Sequence, residues 1–416
     1  MRWYVLLLVP FCASPLLAAE SWLQFRGPAG QGITSEKTLP TTWSGSENVV
    51  WKTALPGPGT SSPILVGEKI YLTAFSGYGV PGQSGEMSDL KRHLVCLRRT
   101  DGQLLWKNDV PAKLPEQERI RDDHGYASST PASDGQRIYC FFGKSGAYAF
   151  DLNGKQLWQT DVGDGLHGWG SAASPVVHEN LVIINASVES QSLYALDKAT
   201  GKEVWRARGI KESWNTPVVT KTKSGRTELI VAILGKVLAF NPTSGEQLWA
   251  CDTDIGWYMV PTVVIADDVV YCIGGRSGGA LAVRMGGSGD VTDSHRLWVG
   301  KTGSNVSSPL VFGQHMYWAH EALGIVYCAE LATGKLVYEE RLPLAGQFYA
   351  SPILGDGKIF YLTRNGRTFV VAAQPQFKLL ATNDMGERST FNACPIAADG
   401  RLLLRSDGYL YCLDEK

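Results

Sequence analysis

The sequence carries almost no net charge: 39 Lys and Arg against 40 Asp and Glu leave a formal charge of −1. No run of Lys or Arg stands out, which excludes the basic stripe that nucleic acid binding requires. Past the first residues no apolar stretch is long enough to cross a bilayer. Helical periodicity is missing as well, because the apolar runs are short and each is bounded by polar or turn residues. None of the 8 cysteines is adjacent to another, and no Cys-x-x-Cys-His haem attachment occurs. Setting Cys12 aside leaves an odd number, so they cannot all pair within a monomer. Cys96, Cys328 and Cys412 share one position of a recurring unit, and Cys140 and Cys272 share another. They read as small core thiols rather than a disulfide framework.

What the chain does have is a repeat. Short polar stretches end in, or beside, Pro63, Pro131, Pro175, Pro217, Pro261, Pro309, Pro352 and Pro395, and a strand-like run follows each. After the first gap the spacings are 44, 42, 44, 48, 43 and 43 residues, a period typical of solenoids and propellers. The third unit is the clearest: Pro175-Val176-Val177, Leu181 to Ile184, Ser192 to Asp197, then Glu203-Val204-Trp205-Arg206. These are four strands, the last two joined by a tight turn whose Gly201 accepts positive φ. A large ring follows the turn Gly by four residues at Trp106, Trp158, Trp205, Trp249 and Tyr338, and after an excursion over 286–293 at Trp298. Together with Trp51, these rings are expected to dock neighbouring units.

The two ends determine the count. The last unit stops after three strands, at Tyr409 to Asp414, while Val49-Val50-Trp51-Lys52 is an outer strand with no unit before it. Each fragment supplies what the other lacks, so the N-terminal strand is expected to complete the last unit and leave no open edge. The fold expected is all-β: an eight-bladed β-propeller of four-stranded antiparallel blades over 48–416, rather than a β-helix. Insertions interrupt it near 77–92 and 111–123, and the second, rich in charge, has room for a short helix. Residues 1–19, with Arg2 before Trp3 to Val9 and small Ala18-Ala19, read as a secretory leader. Residues 20–47 form an N-terminal extension. A monomeric, periplasmic or secreted protein is expected, with no membrane span once the leader is removed.

Loops entering the innermost strands converge on one rim of such a ring. That rim is expected to carry Asp122, Asp123, His124, Tyr126, His167, Trp169, Glu212, Trp214, Asn215, Trp257, Tyr258, Asn305, Phe348, Arg388 and Asn392. Aromatics with a few polar anchors suit a ligand or partner site, and equally suit capping of the axial core. His124 and His167 lie one repeat apart, which is no metal motif, and no metal is expected. Glu212 and Asn215 would serve Ca²⁺ only with donors from other blades.

The run from Tyr194 to Trp205, echoed at Val95 to Trp106, Tyr148 to Trp158, Leu238 to Trp249 and Tyr327 to Tyr338, resembles the pyrroloquinoline-quinone-type propeller repeat. Trp22 to Pro28, Trp43 and Asn48 to Lys52 further resemble secreted propellers of planctomycete-type bacteria. The resemblance implies one of two functions. One is a non-catalytic scaffold similar to the propeller of outer-membrane protein assembly, binding protein or peptide partners and no cofactor. The other is a quinone- and calcium-dependent dehydrogenase, for which Trp214 or Trp257 would supply a floor and Asp122 or Asp123 a base. The chain departs from the enzyme pattern in lacking adjacent cysteines and extra loop length. The scaffold is therefore the expected function, with no catalytic residue assigned, and glycan or small-molecule binding stands as a further alternative.

Overall fold

The computed structural model describes residues 22–118, 120, 124–276 and 278–415. The leader segment, Asp122 and Asp123 lie outside them. Eight antiparallel four-stranded sheets follow one another along the chain, one of them extended by a fifth strand. In blade three the strands are Val176–His178, Leu181–Ala186, Ser192–Asp197 and Glu203–Arg208. The second strand is buried on both faces, whereas the outermost alternates between exposed and buried residues. That pattern is expected when sheets stack face to face around an axis. Among the described residues α-helix is confined to the four-residue turns Ser187–Ser190 and Thr292–His295, with single 3-10 turns at Pro28–Gly30, Met87–Asp89 and Gly143–Ser145. The described part of 111–123 forms no helix.

The last blade closes with the first strand. Val49–Ala54 pairs antiparallel with Tyr409–Leu413, setting Lys52 opposite Tyr411 and Thr53 opposite Leu410. Trp51 of this composite blade packs on Gly102 of blade one. A Cβ at that glycine would sit 2.4 Å from the indole. The same contact joins Trp106 to Gly154, Trp158 to Gly201, Trp205 to Gly245 and Trp298 to Gly334. Each ring therefore meets the turn glycine of the next blade, not its own. Trp158, Trp205 and Trp298 also donate from Nε1 to the carbonyls of Lys198, Pro242 and Leu331 across the same seams. Trp249 differs, donating instead to Glu228 at 2.8 Å. Beside it the excursion over 286–293 adds Gly289–Asp290 as a parallel fifth strand on blade four. Tyr338 packs edge-on against Phe377.

A second seam runs around the axis. Ser62 N–H donates to Thr130 Oγ1, Thr130 to Ser174, Ser174 to Thr216, Thr216 to Thr262, Thr262 to Ser308, Ser308 to Ser351, Ser351 to Cys394 Sγ, and Cys394 back to Ser62. All eight bonds lie within 2.9–3.2 Å. The proline that follows most of these residues has no N–H and holds its predecessor extended, leaving that predecessor's amide to point around the ring. Thr130→Val leaves the Ser62 amide buried without an acceptor and is expected to cost about 1–3 kcal/mol. Cys394→Ser keeps an acceptor and is expected to change stability by less than about 1 kcal/mol. Urea unfolding midpoints at unchanged m would check both.

Residues 22–48 strap the opposite end of the axis. Leu65 N–H donates to the Trp22 carbonyl, Ser133 to that of Leu23 and Leu354 to that of Gly32, while Ile265 donates to Gln31 Oε1. The Glu36 carboxylate receives the amides of Asp399 and Gly400. At the centre Arg26 is buried, donating to the carbonyls of Gly30, Gln31 and Pro309. Burial lowers its guanidinium pKa to about 10.

Candidate functional site

Loops that precede the innermost strand and loops that join the second and third strands open on the same end of every blade, because each intervening strand reverses direction. At that end lies an axial cavity of about 330 Å³. Of the residues expected on the rim, His124, Trp169, Trp214, Tyr258, Asn305 and Asn392 line it. Trp169 and Trp214 flank Tyr258 at ring distances of 6.1 and 5.5 Å. Asn305 Nδ2 donates to Tyr258 Oη at 3.2 Å, and the Asn305 amide donates to Glu321 Oε2 at 2.9 Å. Phe25 of the strap also lines the cavity and a smaller one beneath, between the strap and the inner strands of blades three and four. The strap thus contributes to the floor of the cavity.

The other expected rim residues sit elsewhere. Phe348 is fully buried against Tyr361 and Phe369. Its neighbours Gln347 and Tyr349 line the cavity instead, as side-chain alternation in extended backbone dictates. Asn215 is buried and donates to Ser213 Oγ and the Ala232 carbonyl, tying the inner strands of blade four together. The Glu212 carbonyl accepts from Met259 N–H, linking blades four and five. His167 stands edge-on to Trp214 at 4.9 Å, and its Nδ1 accepts from the Trp169 amide. Tyr126 is buried, donating to the Gln117 carbonyl at 2.7 Å. Trp257 and Arg388 are exposed outside the cavity.

Sequence reasoning missed Arg276 and Glu321, which line the cavity from loops between second and third strands. The marker prolines point only to the loops before the innermost strands. The signal for the other set is strand parity, which brings both sets of loops to one end. Arg276 lies 6.0 Å from the Trp257 ring and makes no ion pair or hydrogen bond among the described residues. Glu321 Oε2 accepts from Ser304 and Asn305, while Oε1 has no partner among the described residues.

The insertions that interrupt the repeat are bound to one another. Arg92 and Glu116 form a buried ion pair, and Arg92 also donates to Ser145 Oγ and the Tyr126 carbonyl. Nearby, Glu189 is buried against Ser171 Oγ. Burial raises its carboxyl from 4.5 to about 7. A raised acid favours the protonated folded state, so its destabilising effect is absent below the unfolded value and grows as pH rises towards the folded value. Glu189→Gln is therefore expected to stabilise by up to ~3 kcal/mol at about pH 8, the gain vanishing near pH 4. Thermal melts across that range would show it.

A family model described as "Outer membrane protein assembly factor BamB" matches residues 90–340 and 189–416. The protein of that description from Burkholderia pseudomallei is 23% identical over 425 residues, covering 96% of this chain and 97% of that protein. A tetrathionate hydrolase from Acidithiobacillus ferrooxidans is 22% identical over 339 residues and 78% of this chain, but the chain spans only 58% of that protein's length. Among solved structures, BamB from Moraxella catarrhalis superposes with a TM-score of 0.61 at 15% identity, covering 88% of this chain and 98% of that one. A quinohemoprotein alcohol dehydrogenase from Comamonas testosteroni gives 0.68 at 12% identity, covering 95% and 81%. At those identities the structural likeness carries the fold alone.

Proposed function

We propose, because the chain belongs to the family of the outer membrane protein assembly factor BamB, that it acts as a non-enzymatic scaffold of the cell envelope. In this reading it is exported by its leader to the periplasm or beyond and holds a protein partner on the loop face. The observation that carries the reading is reciprocal coverage: chain and Burkholderia assembly factor match nearly end to end, at 96% and 97%. The loop face supports it with two neighbouring apolar tips, Leu344, 84% exposed, and Leu323, 46% exposed.

The described cavity lining, with one carboxylate beside the amide oxygens of Asn305, Gln347 and Asn392, gives the calcium–quinone alternative little support. A Ca²⁺ ion takes about 6–8 oxygen ligands, whereas Glu321 is the one carboxylate among the described lining residues and already receives two hydrogen bonds on Oε2. No three His, Cys, Asp or Glu side chains converge on a metal position among the described residues. Cys394 is a single buried thiol, already engaged as a hydrogen-bond acceptor within the axial ring.

Photocrosslinking in the native cell separates the two readings. A crosslinker at Leu323 or Leu344 is expected to capture one discrete protein partner, while the same group at Val204 on an outermost strand captures none. Stoichiometric binding of pyrroloquinoline quinone with Ca²⁺, together with dye-linked alcohol oxidation, would overturn the scaffold reading.

A further inference from the structure

The axial cavity has chemistry that a scaffold does not use. We propose that it binds a neutral saccharide of one or two rings, independently of any protein partner on the loop face. Its volume, about 330 Å³, falls at the small end of the range of about 300–1,000 Å³ typical of ligand pockets. Phe25 of the strap lines its inner end.

Two features of the wall select the ligand class. The first is aromatic. Trp169, Trp214 and Tyr258 form one contiguous cluster, with interplanar angles of 55° and 69° to the central tyrosine. Such a cluster offers both ring faces and ring edges to the apolar C–H face of a pyranose, a favourable contact because the π face is electron-rich. The second is polar. Asn305 joins that cluster by donating from Nδ2 to the Tyr258 hydroxyl, and its backbone N–H ties Glu321 to it in turn. Glu321 Oε1 is an unused acceptor, and the Arg276 guanidinium is an unused donor fork. Planar carboxylate, amide and guanidinium groups match pairs of hydroxyls on adjacent carbons, which both donate and accept.

Charge then discriminates between ligand classes. The described lining holds one guanidinium and one carboxylate, Arg276 and Glu321. A ligand of a single charge meets one attractive and one opposing group whichever its sign, Arg276 or Glu321, so the lining gives a net preference to neither an anion nor a quaternary ammonium, although aromatic walls alone would favour the latter. A neutral polyol uses both groups as hydrogen-bond partners and leaves neither charge uncompensated by contact with solvent at the mouth.

Calorimetric titration of the full chain with cellobiose, maltose and N-acetylglucosamine tests the proposal, alongside the cation choline and the anion pyrroloquinoline quinone. The expected result is a saturable heat with at least one saccharide and none with the two charged probes. Trp169→Ala is expected to weaken that binding about tenfold, the loss of one stacked ring. Glu321→Gln, which keeps the shape but removes an acceptor oxygen, should also weaken it. Arg388→Ala, on the same face but outside the cavity, should leave it unchanged. Unliganded melting temperatures of the variants establish that they fold. The proposal fails if no saccharide titrates, if a charged probe binds in their place, or if folded Trp169→Ala and Glu321→Gln bind as the native chain does.

Discussion

A chain lacking residues 1–54 is expected to lose its cooperative thermal transition. Tyr409–Leu413 would then become an open strand edge, and the contact of Trp51 with Gly102 across the last seam would vanish. So would the hydrogen bond from Thr53 to the Gly102 carbonyl at 2.8 Å and the seat of Lys52 over the Tyr409 ring at 3.8 Å. The strap anchors go too, including fully buried Trp22 and Arg26. Ladder bonds worth roughly 0.5–1.5 kcal/mol each, with about 1.5–3 kcal/mol for each large apolar side chain buried, add up to a figure comparable with the ~5–15 kcal/mol that holds a domain folded. The exposed edge also invites pairing between chains, so aggregation is expected. Deleting only residues 1–34 removes Trp22 and Arg26 but spares Val49–Ala54. That shorter truncation is expected to melt cooperatively at a reduced temperature. Circular dichroism melts of both chains decide the matter, and a native-like transition in the 1–54 deletion would show that the ring does not need its closing strand.

The second large effect belongs to one glycine. Gly201→Ala is expected to destabilise by about 3 kcal/mol, from strain at φ +71° and from a Cβ placed 2.6 Å from the Trp158 ring. Gly235→Ala is the matched control. It has a similar φ of +75° with nothing within 4 Å of a new Cβ, and so should cost only about 1 kcal/mol. The difference between the two, read from chemical denaturation, isolates the seam contact from backbone strain. Equal losses would mean that the indole yields and that the tryptophan–glycine contact contributes little.

Much of the architecture is legible because the repeat is a local signal. A turn glycine, a ring four residues on, and a polar residue before Pro recur often enough to number the blades, and the unmatched ends specify closure. The site is only partly legible. Loop position alone places His124, Trp169, Trp214, Tyr258, Asn305 and Asn392 at the cavity. Phe348 stands out in the sequence by its aromatic bulk, yet alternation turns it into the blade and leaves Gln347 and Tyr349 at the cavity. Asn215 looks like a donor on a rim, but its amide is consumed by the blade that carries it.

By itself the sequence determined the number of blades, their strand content and the way the ring closes, since each rests on residues near one another in the chain or on a regular period. Tertiary structure alone decided the rest. The axial ring of seven hydroxyls and one thiol joins residues that are 42 or more positions apart. The strap brings Arg26 to a carbonyl 283 residues away. Arg276 and Glu321 line the same cavity as the aromatic cluster only because two sets of loops, unrelated in sequence, emerge from the same end of the sheets. Local patterns encode strands and turns, which form by short-range sterics and pairing. A cavity is the space left between blades, and its lining is settled only when the last blade meets the first.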